Sequence, residues 1–188
     1  MSLELGVDLL QGYFLGRPGS EPSAREGLAE AVLRIDSVAQ KFKRYMVRKI
    51  QDRRIEHQRC QLVMTRILGQ LANAVVERFD QVLTGMLAEY QDVECVYVLN
   101  GDGIQVTGTI GSGRLPRRQP GIMFHPALRG ADHSFKEYFY ILRGVELQQY
   151  TTEPYVSLAS GSISRTISTS FRDAHNQLFV LCIDVVRE

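Results

Sequence analysis

The stretch Asp132-His133-Ser134-Phe135-Lys136-Glu137 gathers two carboxylates, an imidazole, a hydroxyl and an ammonium within six residues. Ser134 and Glu137 have the spacing of a capping box, which predicts a short helix starting there, with Gly144 placed to end it. Free N–H groups at such a start, with Lys136 beside them, would suit a small anion. The plainer reading is that Ser134 and Glu137 only cap, Asp132 only forms a turn, and Tyr138 and Phe139 only fill a core. Asp184 stands among Cys182, Ile183 and Val185 in an apolar run, where a carboxylate must be either paired or exposed.

Other reactive side chains carry less. His57 and Cys60 share a helix face, but no second pair at ligand spacing joins them, and a stable zinc site needs three or four protein ligands, so no metal is expected. The basic run Lys41, Lys43, Arg44, Arg48, Lys49, Arg53 and Arg54 reads as a solvated helix face or a partner for an acidic neighbour rather than a nucleic-acid surface. No nucleophile elbow, P-loop or His-Glu-x-x-His is present to point to an enzyme.

These groups must be positioned by two kinds of element. From Ser23 to Gln91 there is no proline and apolar residues recur at helical spacing. Leu28, Val32, Ile35, Ala39, Phe42 and Met46 form an a/d seam that asks for a partner helix, expected from a second copy of the chain. Met64, Leu68, Leu71, Val75, Phe79, Val82 and Met86 repeat the pattern. The polar stretch between the seams leaves open one long helix or two meeting near His57. After Asp92 the pattern becomes that of strands: VECVYVLN, an NGDG turn, IQVTGTI, then VELQQYTT, PYVSLASG with SRTISTSF, and LFVLCIDVV. The expected fold class is α+β: long N-terminal helices, then a domain built on a central antiparallel sheet of about five strands. Ser157, Ser160, Thr166 and Ser168 fall on adjoining strands, where one face could look into a pocket.

The 188 residues allow one ordinary core plus an appendage, and a net charge of +1, from 22 basic and 21 acidic residues, favours neither nucleic acid nor an anionic membrane as partner. Cys60, Cys95 and Cys182 are odd in number and far apart, as free thiols of a cytoplasmic protein would be. No apolar run is long enough to span a bilayer.

Two resemblances add to this reading. The segment GVDLLQGYFLGRP resembles the last strand and exit loop of EAL domains, the barrel phosphodiesterases that hydrolyse cyclic di-GMP, at Gly6, Asp8, Gln11, Gly12, Tyr13, Gly16, Arg17 and Pro18. It covers about a tenth of the chain. Gln11 matches an active-site glutamine, but the Glu-Ala-Leu signature and the metal-binding carboxylates are absent, so no catalytic residue is expected. The region from Gln91 to Glu188, through DHSFKEYF, TTEPYVSLASGSISRTIS and FVLCIDV, resembles PAS-like, Cache-type (PDC) sensor domains, particularly those C-terminal to EAL domains. Lys136 stands where extracytoplasmic relatives often carry Arg.

The resemblances imply three segments: an EAL barrel remnant at 1–20, a helical connector and dimerisation region at 21–91, and a sensor domain at 92–188. They imply that Asp132, His133, Ser134, Lys136, Tyr138 and Tyr155, with Ser157 and Asp184, line a site for a small anion or amino acid. The expected function is regulatory, with ligand binding coupled through the helices to an EAL domain and no cofactor of its own. The alternative is a dimerisation module without a small-molecule ligand.

Overall fold

The computed structural model describes residues 21–87, 90, 93–111 and 124–186, with side chains from residue 34 onward. The EAL-like segment, Gln11 included, and the side chains of Leu28 and Val32 lie outside the described residues. The chain divides into two compact units, Met1–Arg59 and Cys60–Glu188.

Helix α1, Glu21–Leu71, is continuous across the polar stretch, which answers the question left open near His57. Pro22 is tolerated because the first helical turn has no intrahelical partner for its missing N–H. Within the first unit, from residue 34, no described side chain is buried: Ile35 is exposed and Ala39, Phe42 and Met46 are half-buried.

The second unit has a different helical register from the one its spacing suggests. Helix α1 ends at Leu71, a 3-10 turn occupies Val76–Arg78, and helix α2 runs Phe79–Leu87. The residues that reach zero or near-zero exposure are Met64, Ile67 and Leu71, then Phe79, Leu83 and Leu87. The expected Met64-to-Met86 seam is therefore two short stripes separated by a break, and Leu68, Val82 and Met86 sit at their margins. Val63 and these six residues cover one face of the sheet.

That sheet is six-stranded and antiparallel: β1 (Val93–Asn100), β2 (Ile110–Gly111), β3 (Gln149–Thr151), β4 (Tyr155–Val156), β5 (Ile163–Arg172) and β6 (Leu178–Val186). The order is β2-β1-β6-β5-β3, with β4 also on β5. Strands β1 and β6 are buried on both faces, which is why they read as near-continuous apolar runs. One face carries Val96, Val98, Ile167, Phe171, Phe179, Leu181 and Ile183 against α1 and α2. The other carries Cys95, Tyr97, Leu99, Val180 and Cys182 under helix α3, Glu137–Gly144.

Three departures from the expected strands shape the site. IQVTGTI does not return as a full strand; only Ile110–Gly111 pairs regularly with β1. Before it, the Thr107 hydroxyl replaces a backbone carbonyl and accepts the Val98 N–H at 2.9 Å, while the Gln105 N–H turns away to Ala131 O. The edge between β3 and β4 is interrupted at Thr152–Pro154, where proline lacks a ladder donor and the Thr152 hydroxyl accepts the Thr166 N–H instead. A β-bulge between Val93 and Cys95 makes Glu94 an extra residue opposite β6.

The aromatic trio Phe79, Phe171 and Phe179, with centroids 5.1–5.8 Å apart, joins α2 to the β5–β6 hairpin. Phe79→Ala should cost about 3–5 kcal/mol in urea denaturation, whereas Val156→Ala on the exposed edge strand should cost under about 0.5 kcal/mol. Equal, small losses would show that α2 is not part of this core.

Candidate functional site

On the α3 side of the sheet, cross-strand register sets out rows of side chains. Cys95 pairs with Asp184 and Asp184 with Thr166; Tyr97 pairs with Cys182 and Cys182 with Ser168. The first row places Asp184 at the centre of the sheet with a thiol and a hydroxyl beside it. Thr166 Oγ1 donates to Asp184 Oδ1 at 2.7 Å and receives the Tyr155 hydroxyl at 2.6 Å. Cys95 Sγ donates a weak bond to Asp184 Oδ2 at 3.5 Å.

A second carboxylate lies close by. The bulge turns Glu94 to this face, where Ser157 Oγ donates to Oε1 at 3.0 Å and Ser164 Oγ donates to Oε2. Glu94 and Asp184 are both buried, and their partners among the described residues are hydroxyls and a thiol, with no cation among them.

The third group is His133. Gln105 Nε2 donates to Thr107 O and Thr109 Oγ1, both at 3.0 Å, so Gln105 Oε1 accepts from His133 Nε2 at 3.0 Å. His133 Nδ1 is left to accept the Tyr138 hydroxyl at 2.6 Å. The loop that carries His133 is held by Gly103, where φ is +85° and a Cβ would lie 2.9 Å from the Ser134 backbone. His133 N donates to Gly103 O at 2.8 Å. Only glycine meets both demands.

The capping box does not form. Helix α3 starts at Glu137 with Lys136 as its N-cap residue and no side-chain cap bond. Ser134 instead gives its N–H to Asp132 Oδ1 at 2.8 Å, and the Glu137 carboxylate accepts the Tyr150 hydroxyl. The local competitor to capping is the Asx turn at Asp132, which takes up the serine before the helix begins.

Between the sheet, α3, the broken β3–β4 edge and the 124–131 loop lies a cavity of about 480 Å³. Asp132, His133, Lys136, Tyr138, Tyr155, Ser157 and Asp184 all line it; Ser134 does not. The rest of its wall includes Thr152, Glu153 and Pro154, from the interrupted edge, and His125, Ala127 and Leu158. His125 N donates to Leu158 O at 2.8 Å, which docks the loop on the β4–β5 turn. Of the other strand hydroxyls, Ser168 donates to Tyr138 O at 2.6 Å and Ser160 accepts the Ser162 N–H, so both are structural. Glu94 and Gln105 carry no sequence signal: alternation alone would put Glu94 opposite Cys95, and only the bulge reverses it.

Burial pushes the Asp184 carboxyl up to about 7, with the Glu94 charge adding to it against the hydrogen bonds from Thr166 and Cys95. Burial also pushes up the Cys95 and Cys182 thiols and the Tyr97, Tyr138 and Tyr155 hydroxyls, so all stay protonated near neutrality. Burial, reinforced by Lys136, draws His133 down to about 4 and keeps it neutral. The thiols are therefore not activated nucleophiles. Among the described residues no group of three or more His, Cys, Asp or Glu could hold a metal ion, and no helix is long and apolar enough to cross a membrane.

No protein-family profile and no curated protein matches the chain. Several solved structures are similar. The ligand-binding domain of Mlp24, solved with asparagine, aligns at 15% identity over 81% of this chain and 59% of that one, with a TM-score of 0.56. The ligand-binding domain of the Campylobacter jejuni chemoreceptor Tlp3, solved with 4-methylisoleucine, aligns at 15% identity over 89% and 64%, with a TM-score of 0.53. The Bacillus subtilis YkuI protein, with an EAL domain and solved with c-di-GMP and calcium, aligns at 19% identity over 95% and 43%, with a TM-score of 0.48. The chain thus spans less than two thirds of each. The first two show that its α+β fold is shared with two ligand-binding domains, that of Mlp24 and that of the chemoreceptor Tlp3.

Asp184 and His133 should pull stability in opposite directions with pH. Asp184 holds its proton more tightly folded than unfolded, so its stabilising contribution is complete below its ordinary value of 3.8 and is lost as pH rises towards about 7. His133 is depressed from 6.5 to about 4, so its contribution is complete above 6.5 and is lost as pH falls towards 4. In Asp184→Asn the first effect is gone, and urea denaturation at about pH 4.5 and about pH 6.5 should show a steeper gain in stability with pH than in the parent. Parallel profiles would mean Asp184 titrates alike in both states.

Proposed function

We propose that this chain is a sensor module that binds a small molecule in the cavity beneath α3 and passes its bound state to a cyclic di-GMP phosphodiesterase domain of the EAL type. The observation that carries the binding half is the cavity itself: concave and backed by the rigid central strands, with a buried carboxylate facing into it. The shared fold agrees with it, since Mlp24 and Tlp3 were solved with asparagine and 4-methylisoleucine. The site favours binding over catalysis, because its thiol, its phenols and His133 are held neutral rather than activated. The EAL link is supported by the motif from Gly6 to Pro18, and the cytoplasm, where the free thiols would persist, is the compartment proposed.

The coupling element in this reading is α1. Its last turns, from Val63, pack on the sheet face opposite the cavity, while Ile35, Ala39, Phe42 and Met46 keep the a/d spacing of a helix pair. A second copy of the chain is the proposed partner. A ligand can act through such a pair only as far as it binds one packing better than the other.

A thermal-shift screen of small metabolites should find compounds that stabilise the protein, with the shift lost in Tyr155→Phe or Asp184→Asn; a screen with no stabilising compound would favour the dimerisation-only alternative. In a full-length protein carrying an EAL domain, such a compound should change cyclic di-GMP turnover, and removal of residues 92–188 should abolish the response. Light scattering of the present chain should show a dimer that Ile35→Glu with Phe42→Glu turns into a monomer. An unaltered mass would remove the helix pair from the account.

A further inference from the structure

We infer that Asp80 of α2 couples the cavity wall to the helices on the opposite face of the sheet, by tying the 124–131 loop across the β2 edge. This rests on the reading of the cavity as a ligand site. It supplies the route by which the state of that site reaches α1.

The sheet stands between the cavity and those helices. Strands β1 and β6, which carry Cys95, Tyr97 and Asp184 to the cavity, are paired along nearly all their length and buried on both faces. That floor is stiff, and the part of the cavity a ligand can displace is its wall. His125, Ala127 and Ala131 of the loop line the cavity, and the loop has no helix or strand of its own. It is held by separate bonds instead. His125 N donates to Leu158 O at 2.8 Å, and Ala127 O accepts the Thr109 hydroxyl at 2.9 Å. At the sheet edge Gly130 N donates to Gln105 O at 2.8 Å and Ala131 O accepts Gln105 N at 2.9 Å. Ala131 N also donates to Leu128 O at 3.0 Å with Gly130 at φ +86°, as in a type II turn whose corner is Arg129.

Asp80 reaches this turn from the helix side. It lies in the first turn of α2, where the helix dipole favours a negative charge. Its two oxygens both leave the helix layer: Oδ1 accepts Gly108 N at 2.8 Å, and Oδ2 is ion-paired with Arg129. Gly108 is flanked by Thr107, whose hydroxyl accepts the Val98 N–H, and by Thr109, which lines the cavity and holds Ala127 O. One carboxylate thus grips both the loop and the segment that secures it.

The helix end of the tie is anchored in the core. Phe79, the residue before Asp80, is fully buried, with its ring centroid 5.7 Å from that of Phe171 and 5.1 Å from that of Phe179. Leu83 and Leu87 of α2 share a buried cluster with Met64, Ile67 and Leu71 of α1. A loop displacement that pulls on Asp80 is therefore taken up as repacking of α2 against α1. Two other bonds from the helical layer to the strands and their turn, Gln61 to Gln149 and Ala174 N to Ala74 O, end on residues that do not line the cavity. The Arg129 and Asp80 side chains are 58% and 37% exposed, so the tie is soft and screened by salt. A soft tie shifts a packing equilibrium without locking it.

Amide hydrogen exchange of the whole chain tests this, with the wall displaced from inside by Ala127→Phe, which adds a ring at the cavity surface and needs no ligand. The amides of Val63–Leu71 and Leu83–Leu87 should change their exchange rates about threefold, the scale of one partly exposed ion pair. Asp80→Asn keeps an oxygen for Gly108 N and loses the ion pair, and Arg129→Met keeps the stem and loses the charge. In either background the helix amides should no longer respond to Ala127→Phe. At about 1 M sodium chloride, where charges are screened within ~3 Å, the response in the parent should also shrink. Thr109→Val, which removes the hydroxyl on Ala127 O, is a second displacement with the same expected pattern should Ala127→Phe fail to fold. A merely structural Asp80 would raise helix exchange by its own loss yet leave the response to Ala127→Phe intact, and that result would overturn the inference by placing the coupling in the sheet. Helix amides indifferent to both displacements would overturn it too. The sensor reading stands or falls separately, on whether the metabolite screen yields a Tyr155-dependent compound.

Discussion

A buried carboxylate with no counter-ion among the described residues, on the central strand of the sheet, is the constraint around which the rest of this structure is organised. Asp184 has β1 on one side and β5 on the other, so it cannot reach bulk water past the sheet edge. Its neighbours in the row, Cys95 and Thr166, offer one weak and one ordinary hydrogen bond. The chain meets the cost in two ways: the carboxyl holds its proton up to near neutrality, and its free side faces a cavity. An apolar residue there would pack with less penalty, which is the physical reason to read Asp184 as a binding group.

The surroundings of that carboxylate are kept rigid by substitutions of side chain for backbone. The Thr107 and Thr152 hydroxyls each accept an N–H that a regular ladder would give to a carbonyl. Each substitution interrupts pairing without leaving a buried donor unsatisfied, and each frees a segment to become cavity wall. The break at Thr152–Pro154 opens the sheet edge beside Tyr155. The divergence at Gln105–Thr107 lets Gln105 reach His133, which in turn fixes Tyr138. The site is thus assembled from irregularities in an otherwise regular antiparallel sheet, held from the other face by α1 and α2.

The fold was legible where apolar periodicity is strong. VECVYVLN, SRTISTSF and LFVLCIDVV announce β1, β5 and β6, and the alternation within them places Asp184, Thr166 and Cys182 on a common face. The site was legible in part: of the residues singled out for the pocket, Asp132, His133, Lys136, Tyr138, Tyr155, Ser157 and Asp184 line one cavity, while Ser134, Ser160, Thr166 and Ser168 do not. What spacing could not show were features decided by tertiary competition. The Ser134–Glu137 box lost to the Asx turn at Asp132, the second helical seam split at Leu71, and the bulge brought Glu94 to a face that simple alternation denies it. The side chains of Leu28 and Val32 in the first seam lie outside the described residues.

Asp184 lines the cavity as a buried carboxyl with no counter-ion among the described residues. Carbon-13 NMR of the Asp184 carboxyl, titrated in the ligand-free protein, measures this directly. A midpoint near neutrality, abolished as a resonance in Asp184→Asn, is the expected result. A midpoint near 4, the ordinary range of an exposed or ion-paired aspartate, would contradict it.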